Sequence, residues 1–210
     1  MSKLPILLIF IMSSLVYGQE KITLGFQGGI NLSSIRGFSQ EDTFSRAIAI
    51  RGGIHGEYHF SSNFSAVINV SYDKKGVERK IIAFDPSQGG FAEFTTRINH
   101  NYIGVPVMFR YTLGKENKVR YFANVGPYVG FLLKVKNGEF DLGTEGFKKV
   151  EYGLSGGVGV IIPLSERYNL YFELRDNLGL TNISDVPIDG GSGEIKTNTY
   201  AAIIGFLIDL

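Results

Sequence analysis

Asn101-Tyr102-Ile103-Gly104-Val105-Pro106-Val107-Met108-Phe109-Arg110-Tyr111 decides the fold, because it changes character at every second residue. Ile103, Val105, Val107, Phe109 and Tyr111 fall on one side, with Tyr102, Gly104, Met108 and Arg110 on the other. A period of two is the mark of a strand, whose successive side chains point to opposite faces. Soluble strands are usually about 5–6 residues long. This run is longer, and it matches the ~9–11 residues with which a tilted strand crosses a bilayer.

Seven further segments repeat the pattern. Ile22, Leu24, Phe26, Ile30 and Leu32 oppose Thr23, Gln27 and Asn31; Ile48, Ile50, Ile54, Tyr58 and Phe60 oppose Arg51, His55, Glu57 and His59. Phe64, Ile68, Val70 and Tyr72 face away from Ser65, Asn69, Ser71 and Asp73. Tyr121, Ala123, Val125, Val129, Phe131 and Leu133 alternate with Arg120, Asn124, Tyr128 and Lys134. Tyr152 to Ile162, Leu170 to Leu180 and Tyr200 to Leu210 continue in the same way, the second of these carrying Glu173 and Arg175 on its polar face. Connectors alternate as well. They are short around Ser61-Ser62-Asn63, Gly114 to Lys118 and Ser165-Glu166-Arg167, and long and polar over Ser33 to Ala47, Arg79 to Glu93, Asn137 to Phe147 and Ile183 to Lys196. Short turns at one end and long loops at the other describe an all-β, eight-stranded antiparallel up-and-down transmembrane β-barrel of the bacterial outer membrane.

Composition agrees. The 210 residues hold 27 glycines, 16 Phe and 11 Tyr with 44 % hydrophobic and 20 % charged residues, and no cysteine or tryptophan. That apolar content excludes a disordered chain, and the missing cysteines exclude a disulfide scaffold or a thiolate zinc site. A net charge of +1 gives no reason to expect nucleic acid as a partner. At the amino terminus, Lys3 precedes an apolar run from Leu4 to Val16 that ends at Tyr17-Gly18. The run is too short to span as a helix and has the form of a signal peptide. The expected organisation is therefore a cleaved segment over 1–18 and the barrel over 19–210.

In such a barrel the apolar sets meet lipid. Tyr58, Phe60, Phe64, Tyr111 and Tyr121 mark the short-turn edge of the membrane, and Tyr72, Phe131, Tyr152 and Tyr200 the other. The opposite face fills a lumen that eight strands make just wide enough for side chains. Arg51, Glu57, Arg110, Glu173 and Arg175 must then pair there as a structural polar network, beside Tyr102 and Tyr128. One residue breaks the pattern: Asp176 is in phase with Leu174 and Leu178, so either a bulge shifts it or it stands at the outer interface.

Other chemistry finds little support. Alternate strand residues stand ~6.8 Å apart, so His55 and His59 do not share one metal ion. Gly25 to Gly29 and Gly153 to Gly159 lack the Gly-Lys-Ser/Thr ending and following helix of a phosphate loop. Asp185, Asp189 and Glu194 read as solvated loop acids rather than a calcium site, and no grouping nominates a catalytic residue or a cofactor.

The Asn101–Tyr111 stretch resembles the Tyr-Leu-Glu-Ile-Pro-Leu-Leu-Leu-Lys-Tyr signature of the PorT-type outer-membrane β-barrel family of Bacteroidota. Tyr72-Asp73-Lys74-Lys75-Gly76, Gly126-Pro127-Tyr128-Val129-Gly130, the stretch Tyr152 to Pro163, and Phe172-Glu173-Leu174-Arg175 leading into Gly179-Leu180-Thr181-Asn182-Ile183 extend that resemblance in order. Gly104 and Asn69 stand where the family usually has Glu, and Asp176 where an aromatic is common. The resemblance implies an exported, porin-like outer-membrane barrel whose family namesake works in protein secretion. The expected partners are outer-membrane lipid and proteins at the extracellular loops. Two alternatives remain at this point: a secreted lipocalin-like barrel with an apolar ligand inside, and a narrow channel.

Overall fold

The computed structural model describes residues 22–37, 44–87, 89–186 and 193–210. The expected export segment 1–18 and Asp189 lie outside these residues. Among the described residues nine strands form: β1 (Ile22–Arg36), β2 (Phe44–His59), β3 (Phe64–Asp85), β4 (Gly90–Leu113), β5 (Arg120–Asn137), β6 (Phe140–Gly143), β7 (Val150–Pro163), β8 (Tyr168–Gly179) and β9 (Lys196–Asp209). Eight of them close into a ring. The order β4-β3-β2-β1-β9-β8-β7-β5 is joined by β4–β5 pairing, and β6 is a four-residue addition outside the ring on β5. Every pairing is antiparallel. The ring seals where β1 runs against β9 from Thr23 opposite Asp209 to Arg36 opposite Lys196.

The alternation sorts the faces. Phe26, Ile50, Val125, Val158 and Leu174 are exposed on the outside, while Arg110, Asn31, Glu151, Tyr171 and Glu173 are buried within. Apolar outside and charged inside is the reverse of a barrel built around an apolar ligand, so the lipocalin-like arrangement does not apply. At the short-turn edge the aromatic side chains touch: Phe64 lies 5.0 Å from Tyr111 and 5.4 Å from Phe109, and Tyr58 lies 5.3 Å from Phe60.

Two details differ from the sequence expectation, and a third decides between its two alternatives. First, most of the polar connector Arg79 to Glu93 is strand, because β3 and β4 stay in register up to Asp85 opposite Gly90. An ion pair of 2.7 Å between Lys80 and Glu93 and an edge-on contact of 5.8 Å between Phe84 and Phe91 hold this extension together. Second, the register of β4 and β5 shifts between Asn101 and Tyr102. Lys134 thereby leaves the inward row and Val135, fully buried, replaces it. Third, no shift occurs at Asp176, which sits in unbroken register between Gly156 and Tyr200 and so faces outward near the long-loop end.

Glycine is required where strands crowd an interior side chain or the seam. A Cβ on Gly29 would strike the backbone carbonyl of Ala202 across the β1–β9 closure. Gly29→Val is expected to cost roughly 1–3 kcal/mol, read as a lower urea midpoint and a loss of the unboiled, fast-migrating gel band. Gly156→Ala, whose new Cβ would lie 3.8 Å from its nearest neighbour, is expected to leave both unchanged.

Candidate functional site

The barrel interior holds the only dense array of buried ionic side chains among the described residues, and the five expected lumen residues all lie in it. Glu57 of β2 is the first node. It accepts from Arg110 of β4 at 2.8 Å and from the Ser65 hydroxyl at 2.5 Å. His55 Nε2 lies 3.2 Å and His59 Nδ1 3.8 Å from its two oxygens. The histidines thus flank one carboxylate that is already paired with arginine, and no three metal-ligating groups converge among the described residues.

Glu173 of β8 is the second node. Arg175 grips it with two nitrogens, at 2.5 and 2.8 Å, and Arg110 Nη2 lies 3.9 Å away. Asn124 of β5 donates to the same carboxylate at 3.4 Å. With its amide oxygen towards Arg175, Asn69 accepts from both guanidinium Nη atoms at 3.0 and 3.1 Å and donates to His55 Nδ1 at 2.9 Å. The Arg110 guanidinium also lies 4.0 Å from the Phe122 ring centroid, a favourable placement for a cation over an aromatic face. Arg51 completes the set from one side, 3.4 Å from Asp73 and 3.2 Å from the Ser71 hydroxyl.

A second cluster nearer the long loops joins the inward Tyr102 and Tyr128 to a Lys75–Glu151 pair that the sequence phase does not give. Glu151 of β7 accepts from Lys75 of β3 at 2.7 Å, from the Tyr128 hydroxyl of β5 at 2.5 Å, and from Thr197 of β9. The Lys75 ammonium also sits 4.7 Å from the Tyr102 ring and 5.3 Å from that of Tyr128. Buried charge is then balanced: Arg51, Lys75, Arg110 and Arg175 against Glu57, Asp73, Glu151 and Glu173. Such balance is the condition for keeping ions out of water. Arg110, Tyr171, Glu173 and Arg175, none more than 2 % exposed, fill the middle of the lumen.

Residues 17–185 of the sequence match the family described as outer membrane protein beta-barrel domain. The chain belongs to that family. As an outer-membrane β-barrel it resides in the bacterial outer membrane, with the apolar band of its wall in lipid. Solved structures of similar fold include the outer membrane protein OprG from Pseudomonas aeruginosa, with a TM-score of 0.51 at 12 % identity over 91 % of this chain and 96 % of that one. Neisserial surface protein A is another, with a TM-score of 0.50 at 13 % identity over 88 % and 96 %. At these identities the likeness concerns the fold alone. No curated protein matches the sequence.

For this outer-membrane barrel, Arg110 is the residue on which both nodes depend. Arg110→Met leaves Glu57 and Glu173 short of a buried counter-charge, and breaking such a pair costs about 3–5 kcal/mol. Urea unfolding in lipid vesicles is expected to show that loss. Adding Glu57→Gln is expected to restore part of it, so the two substitutions are strongly non-additive.

Proposed function

We propose that this outer-membrane barrel is a closed strut that acts through its extracellular hairpins, in a structural or interaction role of PorT type linked to envelope or secretion function. The resemblance of its strand motifs to that family supports the PorT assignment. In this reading the protein is not an enzyme and needs no cofactor, residues 1–18 are removed on export, and Arg51, Glu57, Arg110, Glu173 and Arg175 serve as interior struts.

One observation carries the closed-strut reading: among the described residues the lumen is crossed by four buried acids, each ion-paired to a buried base, so the charges inside it balance. The interaction role draws on the β3–β4 hairpin. Beyond Arg79 on one edge and Ile98 on the other, its strands have no further ladder partner in the barrel among the described residues and continue together. The six residues from Lys80 to Asp85 extend it by roughly 20 Å at ~3.4 Å per residue. Ile82, Phe84 and Phe91 stand on it 58 to 79 % exposed, and exposed apolar groups grouped at a tip favour contact with another surface.

Planar-bilayer recordings test the closed strut. The purified barrel is expected to give no unitary conductance steps. Reproducible steps whose ion selectivity changes in Glu173→Gln would overturn the proposal and assign a narrow channel instead.

A further inference from the structure

On the outer wall at the long-loop end, a groove of about 590 Å³ crosses β7, β8, β9 and β1. Its floor is low because Gly156 and Ala202 carry little or no side chain, while Ile30, Leu32, Val158 and Leu174 form its apolar sides. Asp176 and Tyr200, partners across β8 and β9, stand at its extracellular end. The Arg46 guanidinium lies 5.0 Å from the Tyr200 ring centroid, and Arg36 reaches over to donate to the Gly179 carbonyl at 2.6 Å. These two arginines are the charges that act on Asp176. Even so, Asp176 Oδ1 is shielded from water and has no hydrogen-bond partner among the described residues. Lys196, level with Arg36, is committed to Glu194.

The groove is therefore apolar towards the bilayer centre and charged at the rim, in the order that an amphiphile presents its own parts. A buried carboxylate oxygen without a donor is costly, and a donor arriving from outside the chain removes that cost. Arginine is well suited to phosphate because its donors form a planar fork, and its cost at interfacial depth is only about 0–1 kcal/mol. Two guanidinium groups against one carboxylate leave a net positive charge for an anion.

We propose that this groove binds a phosphate-bearing lipid of the outer leaflet. One acyl chain lies against Leu174 and Ile30 over Ala202, the phosphate sits on Arg36 and Arg46, and a headgroup hydroxyl or amide N–H donates to Asp176 Oδ1. Phosphatidylcholine fits poorly, since its quaternary ammonium has no N–H to donate.

Native mass spectrometry of the full barrel in detergent tests this, with lipid A, dephosphorylated lipid A, phosphatidylcholine and inorganic phosphate as probes. Lipid A is expected to bind one to one, at least tenfold more tightly than its dephosphorylated form or phosphatidylcholine. R36Q/R46Q is expected to lose that tenfold preference while keeping the boil-dependent gel shift. Ala202→Phe, which fills the groove from the lipid side without touching a charge, is expected to weaken binding and provides a second variant should the first not fold. Equal binding of phosphorylated and dephosphorylated lipid, or lipid A binding unchanged in both variants, would overturn the proposal. Full competition by inorganic phosphate would assign a free-anion site and overturn the lipid.

Discussion

Hydrocarbon offers no hydrogen bonds, so every backbone N–H and C=O at membrane depth must find its partner within the chain. The pairing of β1 with β9 is how this molecule meets that demand. Without that seam two edges of unpaired amides would face lipid, and none of the outward apolar residues could pay their way. Closure then dictates the rest. Eight strands leave a narrow interior, the interior admits side chains only where its wall is thin, and whatever ionises inside must be neutralised there.

The glycine excess follows from the second of these consequences. A Cβ on Gly205 would overlap the ring of Tyr171, one on Gly159 the ring of Phe122, and one on Gly153 the ring of Tyr128. Each of these three rings thus occupies space left by a glycine on another strand. Tyr171 in turn donates to Gln27 at 2.8 Å and packs 5.4 Å from His55, linking the aromatic filling to the ionic network. The third consequence shows in the equal numbers of buried acids and bases, drawn from strands on different sides of the ring. Glu57 and Glu173 meet through Arg110, and Lys75 and Glu151 through direct contact across the lumen.

Local alternation made the wall legible in the sequence: Phe172, Leu174 and Leu178 face out and Glu173, Arg175 and Asn177 face in because a strand has no other choice. The five charges placed inside by phase were found there for the same reason. Glu151 falls on the polar face of its segment by the same phase, but its pairing with Lys75 does not follow from phase, because the two lie 76 residues apart. Lys134 was misplaced by a register shift that leaves no mark in composition. The β3–β4 extension was hidden by its charges, which suit a solvated loop as well as a hairpin standing clear of the membrane. Asp176 was visible as an exception, but its arginine neighbours come from β1 and β2, and only the closed ring brings them near.

A period-two wall, closed through β1 and β9, presents one face to lipid and the other to a packed interior. Because the chain has no cysteine, single cysteines at positions 199 to 204 can be placed along β9 and challenged with a lipid-soluble maleimide in vesicles. Positions 200, 202 and 204 should react rapidly, and 199, 201 and 203 slowly. Uniform reactivity along the segment, or rapid reaction at the odd positions, would contradict the account.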